Sequence, residues 1–218
     1  FAGTPIAHAT VTGMPLRPEI TTLDRSALRA EARAHFGLDP ARRTLLVTGG
    51  SQGARAINRA ISGCVEEIVG AGAQVLHVWG GLTELEDPGV DGYHVIPYCD
   101  RMDLAFAACE LAVSRAGSTT VSELSGLGVP AILVPYSSGN GEQRFNAAGV
   151  VRAGGAILVE DNELTPEWVR GTLIPLLTDD AALAEMSARA VTAGTLDGTE
   201  RLYDLVRAAL EAGNATQA

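Results

Sequence analysis

Aromatic side chains are scarce in this 218-residue chain, at 5%, and charged residues reach only 19%, while hydrophobic residues make up 46%. Its core therefore has to be built from Ala, Val, Leu and Ile, and the low hydrophobicity that disorder requires is missing over most of the length. The three cysteines, Cys64, Cys99 and Cys109, are an odd number with no paired spacing. That excludes a disulfide framework or a zinc set and reads as reduced core or loop residues of a cytosolic protein. No apolar run reaches ~18 residues, so no membrane-spanning helix is expected, and no signal peptide is read at the start. Basic residues are also in deficit, 16 against 26 acidic ones, for a net charge of −10. This sign argues against a nucleic-acid or anionic-membrane surface. It leaves open the binding of a single phosphate group by backbone N–H groups and helix dipoles.

What is present is a regular alternation. Phe1 to Ile20 holds Pro5, Pro15 and Pro18, with a short β-like run at Ala9 to Thr12, and reads as extended or linker-like. Asp24 to Phe36 reads as a helix, with Asp24 as N-cap and Gly37 as its stop. Residues 1–40 thus form an interdomain segment plus a helix, and 41–218 the domain proper. Strands are predicted at Thr44–Thr48, Gln74–Trp79, Tyr93–Ile96, Leu111–Ser114, Ala131–Val134 and Ala156–Val159. Helices are predicted at Ala54–Val69, Met102–Cys109, Thr119–Ser125 and Glu142–Ala153. Short apolar strands alternating with helices imply an α/β fold, a Rossmann-like parallel sheet covered on both faces. The tail is helical: Trp168, Leu173 and Leu176 share a face that Pro175 should kink or end. A second stripe contains Leu202, Leu205, Val206, Ala209 and Leu210.

Ligands of open parallel sheets bind beyond the carboxyl ends of the strands, and three such loops have unusual residues. The first is Gly49-Gly50-Ser51-Gln52-Gly53-Ala54-Arg55, where glycines let the backbone approach a phosphate at a helix start. A tight turn without a ligand is the alternative. The loop is not Gly-x-Gly-x-x-Gly, the next strand ends at Trp79-Gly80 without a ribose-binding acid, and no Gly-Lys-Ser/Thr follows. Neither a dinucleotide fingerprint nor a P-loop is therefore present. The second loop runs from Arg115 to Glu123, with Ser118, Thr119 and Thr120 crowding a helix start. Glu123 lies one turn on, spaced either to accept from ribose hydroxyls or to close a capping box with Thr120. The third, Pro135 to Asn146, is polar and glycine-containing, suited to sugar hydroxyls or simply to water. None of His8, His35, His77 and His94 lies in these loops. Asp-x-Asp occurs nowhere, so the carboxylate pair that usually holds manganese on a nucleotide sugar is missing.

Taken in order, with Gly13-Met-Pro-Leu-Arg17 upstream, the three segments resemble the C-terminal half of the MurG family. These are family 28 glycosyltransferases of GT-B fold in the peptidoglycan pathway. The likeness runs from about Val11 to the C-terminus. Gly49 to Arg55 matches the family signature unchanged, and Thr119-Thr-Val-Ser-Glu123 and Gly141-Glu-Gln-Arg-Phe-Asn146 match closely. The resemblance implies a donor site for UDP-N-acetylglucosamine. Arg17 helps hold the donor, and Ser51 contacts its phosphates among Gly49, Gly50 and Gly53. Cys99 stands where the family has an aliphatic residue beside the uracil, its backbone reading the base. Ser118, Thr119, Thr120, Val121 and Ser122 run along the diphosphate, Glu123 holds the ribose, and Gln143 and Asn146 address the sugar.

The implied reaction is inverting transfer of N-acetylglucosamine to lipid I to give lipid II, in cell-wall biogenesis and hence cell shape and division. No cofactor and no metal are expected for donor binding, no nucleic acid as a partner, and no catalytic residue in this chain. The acceptor pocket and the base are expected from an N-terminal domain absent from this sequence. Membrane contact is likewise expected outside this chain, with the whole protein peripheral on the inner face of the plasma membrane. Two other readings stay open: a non-catalytic nucleotide-sugar-binding module, and a related GT-B transferase acting on a natural product or another lipid.

Overall fold

The computed structural model describes residues 9–51, 53–81, 87–137 and 141–215. Six parallel strands form one sheet: β1 (Arg43–Thr48), β2 (Ala73–Val78), β3 (Tyr93–Ile96), β4 (Leu111–Ser114), β5 (Ala131–Leu133) and β6 (Ala156–Leu158), in the order β3-β2-β1-β4-β5-β6. Both faces are covered, so the strands alternate between two apolar cores instead of between core and water. Leu45, Val47, Val75, Leu111, Val113 and Ile132 point to one core. Leu46, Leu76, Ala112 and Leu133 point to the other. The expected α/β architecture, a Rossmann-like parallel sheet, is what the chain adopts, with helices on both faces.

On the first face lie α3 (Arg55–Ser62), α4 (Val65–Gly70), and a helical run at α8 (Pro166–Trp168), a π-turn at Val169–Leu173, and α9 (Ile174–Thr178). The single helix expected over 54–69 is broken at Gly63 and Cys64, where Gly63 ends α3 and Cys64 leaves helical geometry. Glycine lacks the helix preference of its neighbours. Pro175 does not end its helix, because the π-turn immediately before it changes the hydrogen-bond register where the proline has no N–H to give.

The second face carries α1 (Pro18–Thr21), α2 (Arg25–His35), α5 (Met102–Ala108), α6 (Ser118–Gly126), α7 (Glu142–Ala153) and α10 (Asp180–Ala193). Pro18–Thr21 is a helical turn where extended chain was expected, with proline in its first turn, where a missing N–H costs nothing. Residues 9–12 form no strand. Asp24 does cap α2, its carboxylate accepting from the N–H groups of Ser26 and Ala27. Glu110 ties α2 to the sheet: its carboxylate accepts from Arg29, Arg33 and the Thr44 N–H at 2.6–2.8 Å. Leu16, Ile20, Ala32 and Leu38 join the core with Phe106. Complete burial of each large apolar side chain is worth about 1.5–3 kcal/mol. All three cysteines are free and buried. The last helix, α11 (Gly198–Ala215), leaves Leu202, Tyr203, Leu205, Val206 and Leu210 exposed.

Candidate donor site

The strand order reverses between β1 and β4, and the crevice beyond their carboxyl ends is where an open sheet receives a ligand. A cavity of about 810 Å³ opens there, lined from β1 by Thr48 to Ser51 and from β4 by Ser114, Arg115 and Gly117. Ala54 to Ala56, Thr120, Tyr136, Gln143 and Asp161 complete the part that matters here.

The loop after β1 folds back tightly. Gly50 and Gly53 have φ of +80° and +77°, a region that glycine enters without strain. A Cβ on Gly53 would stand 2.5 Å from the Trp79 carbonyl oxygen. The Gly81 N–H donates to the Ser51 carbonyl at 3.0 Å, so the loop is held against the end of β2. Asn58 on α3 adds a second tie, its amide donating to the Trp79 carbonyl at 3.1 Å. The Asn58 side-chain oxygen meets His77 at 3.1 Å, and His77 meets the Tyr93 hydroxyl at 2.7 Å. Burial pushes the His77 imidazole down to about 3, so this ring stays neutral and works as scaffold.

Two helices aim their N-termini into the cavity. Neither has a side-chain cap: Ala54 precedes α3 and Gly117 precedes α6. The first backbone bonds of these helices are Asn58 N–H to Ala54 and Val121 N–H to Gly117. The N–H groups of residues 55–57 and 118–120 therefore lack helical partners, which is the usual arrangement for receiving an anion. The capping-box alternative fails, because Thr120 is the third residue of α6 rather than its cap and Glu123 lies too far along to reach back. Ser122 spends its hydroxyl on the Ser118 carbonyl at 2.9 Å. Val121 is buried in the core and its N–H is taken by Gly117, so it has neither side chain nor amide to offer a ligand.

Glu123 sits apart from that cavity. Its side chain is only 8% exposed, and its one ion pair, to Arg17 at 3.6 Å, uses a guanidinium that is 57% exposed. Burial raises the Glu123 carboxyl above its ordinary range, and Arg17 opposes this in part. A desolvated carboxylate with so little compensation is a strong acceptor for paired hydroxyls. Leu16, Cys99 and Val121 belong to the same core cluster, so the Arg17, Cys99 and Glu123 segments share one side of the sheet. Burial pushes the Cys99 thiol up to about 11, which leaves it an inert apolar group.

On the β5 side, Gln143 accepts from the Tyr136 N–H at 3.0 Å, and Asn146 donates to the Ala116 carbonyl at 3.1 Å. These bonds fix both carboxamides and leave the Gln143 amide nitrogen and the Asn146 oxygen without partners among the described residues. Gln52, and Ser138 to Asn140 of the third loop, lie outside the described residues, as does His8. Of the residues singled out from sequence, Ser51, the three loop glycines, Thr120 and Gln143 share the cavity. Arg17 and Glu123 form a separate pair.

Sequence reasoning passed over Asp161 and gave Arg115 no role. Arg115 forms a two-pronged ion pair with Asp161, at 2.6 and 3.3 Å, and also donates to the carbonyls of Val134 and Pro135. It stacks 5.6 Å from the Tyr136 ring centre. Asp161 follows β6 by three residues, so it too lies beyond a strand's carboxyl end and could have been found by that rule.

Residues 44–202 match the C-terminal domain of glycosyltransferase family 28. The chain belongs to that family. It is 56% identical over 213 residues to a protein of Clavibacter michiganensis subsp. michiganensis. That relative is named UDP-N-acetylglucosamine–N-acetylmuramyl-(pentapeptide) pyrophosphoryl-undecaprenol N-acetylglucosamine transferase. A like-named protein of Leifsonia xyli subsp. xyli is 54% identical over 212 residues. Each alignment takes in 97% of this chain but only 58% and 59% of the relative, so the chain spans well under two thirds of their length. The crystal structure of Acinetobacter baumannii MurG superimposes with a TM-score of 0.66 at 24% identity, over 86% of this chain and 54% of that one. A kitacinnamycin glycosyltransferase gives 0.61 at 21% identity over 77% and 43%. Family 28 membership and the GT-B fold thus stand together, with the crevice at the reversal of strand order beside the loop from Gly49 to Arg55.

Proposed function

We propose that this chain is the donor-binding part of an inverting transferase. It would move N-acetylglucosamine from UDP-N-acetylglucosamine to lipid I, making lipid II for peptidoglycan. The observation that carries this reading is the convergence of two uncapped helix N-termini on one cavity at the switch point of the sheet. In the transfer, the acceptor 4-hydroxyl oxygen bonds to the sugar's anomeric carbon while that carbon's bond to the β-phosphate oxygen breaks. Negative charge then grows on the departing UDP. Fixed N–H groups stabilise such charge without reorganising, the kind of term that mutagenesis values at about 3–4 kcal/mol per donor. The hydroxyl's proton needs a base. Among the described cavity residues the only carboxylate is Asp161, which is committed to Arg115, and no histidine is present.

The base, and the pocket for the acceptor's sugar, are accordingly assigned to the part of the relatives that this chain does not match. On this reading Arg17 and Glu123 hold the nucleoside, Ser51 and residues 118–120 the diphosphate, and Gln143 and Asn146 the sugar. No helix among the described residues is long and apolar enough to cross a membrane. On the donor reading the whole protein works at the inner face of the plasma membrane, with membrane contact made through the remaining part.

Isothermal titration with UDP-N-acetylglucosamine, UDP, NAD and ATP tests the donor assignment. The two uridine ligands are expected to bind, and NAD and ATP at least tenfold more weakly, since no dinucleotide fingerprint or P-loop lysine is present. Preferential binding of NAD or ATP would sink it.

A further inference from the structure

Arginine supplies every basic side chain other than histidine in this chain, sixteen in all. Among the described residues, nearly all of these guanidiniums are committed to a carboxylate or to backbone carbonyls. Three are not: Arg55, Arg59 and Arg152. Arg152 is on α7, away from the cavity, whereas Arg55 and Arg59 both line it. They sit four residues apart on α3, on one face of the helix, while Ile57 and Ile61 bury the opposite face in the core. Both are exposed, and like charges at this spacing repel each other. A chain with ten more negative than positive charges has carboxylates to spare, yet none among the described residues pairs with these two.

The charge on the cavity wall says what they face. Arg115 and Asp161 cancel, so among the described residues Arg55 and Arg59 leave the wall with two net positive charges. The N-termini of α3 and α6 add roughly half a charge each. A donor diphosphate brings two negative charges and already has the first-turn amides of α3 and α6 and the Ser51 hydroxyl to receive it. Filling the site with donor alone would leave the cavity positive. Arg59 moreover lies on the last turn of α3, roughly 6 Å along the helix from Arg55 and away from the phosphate loop.

We infer that Arg55 and Arg59 form a second anion subsite beside the donor phosphates, which takes the diphosphate of the acceptor. This rests on the donor-site reading above and adds to it the group that aligns the second substrate. Paired guanidinium forks suit a diphosphate, since each can give two parallel N–H bonds to phosphate oxygens.

The test uses this chain in three titrations. UDP alone comes first: if it does not bind, the donor reading fails and this inference falls with it. The protein is then saturated with UDP and titrated with inorganic pyrophosphate, and separately with a soluble short-chain prenyl-diphosphate sugar. Both are expected to bind the UDP-loaded protein. Arg59→Ala should weaken each about tenfold, the scale of one charge-assisted bond to a partly exposed phosphate, while UDP affinity changes less than about threefold. Failure of pyrophosphate to bind the UDP-loaded protein overturns the second subsite. An Arg59→Ala loss that falls on UDP instead assigns the pair to the donor. Binding of pyrophosphate without the prenyl-diphosphate sugar overturns the acceptor assignment.

Discussion

At the carboxyl ends of β1 and β4 the protein offers its backbone, the first three N–H groups of α3 and of α6, which have no helical partners, whereas at Arg17 and Glu123 it offers a single buried carboxylate and one guanidinium. The backbone end tolerates changes of side chain but not an added Cβ, because its geometry depends on how closely the chain approaches itself. The side-chain end has the opposite sensitivity. It depends on one carboxylate that burial has left poorly compensated, and the fold does not need that carboxylate charged.

The largest effect is expected from breaking the backbone end. Gly53→Val forces a β-branched residue to φ of +77° and drives its Cβ to within 2.5 Å of the Trp79 oxygen. Left-handed strain of about 1–2 kcal/mol plus that clash should lower stability by about 2–4 kcal/mol, and detectable UDP binding should vanish. Chemical denaturation and titration on the same sample measure both. Retained UDP affinity would mean that the loop is not the phosphate cradle.

The side-chain end should respond in binding and not in stability. Glu123→Gln removes a charge that accepts from ligand hydroxyls, so UDP-N-acetylglucosamine should bind more weakly by on the order of 1.5–3 kcal/mol. The stability effect follows from the direction of the pKa shift. Burial raises the native carboxyl above 4.5, so the folded state keeps its proton longer than the unfolded chain does. Wild-type stability is then lost as pH climbs from about that value through the raised native one. The glutamine variant lacks this loss, and its denaturation midpoint at pH 7 should equal or exceed that of the wild type. A midpoint that falls while affinity holds would make Glu123 a structural residue.

The same contrast explains what could be read from the sequence. Strand positions were legible because each is a short, mostly apolar run closed off by glycine, proline or charged residues, and all six lie within two residues of where they were expected. The glycine loop was legible too, since its residue types are dictated by backbone geometry. The side-chain network was not. Arg115 meets Asp161, and His77 meets Asn58 and Tyr93, across 46, 19 and 16 residues, and no local pattern reports such distances. The spacing of Thr120 and Glu123 suited both a cap and a binding site, and the observed start of α6 at Ser118 rules out the cap. Val121 fell inside a matched motif, yet its side chain belongs to the core. A motif marks a segment and leaves open which of its residues face the ligand.

The smallest effect concerns divalent metal, and it bears on both ends at once. Where a metal serves a nucleotide sugar, carboxylates hold it against the diphosphate and its charge offsets theirs. Among the described residues no group of three or more His, Cys, Asp or Glu side chains comes together. Among the described residues the one carboxylate on the cavity wall is Asp161, whose two oxygens are taken by Arg115. Freeing it for a cation would break an ion pair in which both partners are less than a fifth exposed, leaving the Arg115 guanidinium uncompensated. On the proposed reading the donor diphosphate's charge has other partners: two helix N-termini worth roughly one positive charge together, and the Ser51 hydroxyl beside them. Excess EDTA should therefore change the affinity for UDP-N-acetylglucosamine by less than about twofold, and added manganese should not raise it. A large loss in EDTA that manganese restores would show that the diphosphate end relies on a cation rather than on backbone, and the contrast between the two ends would have to be redrawn.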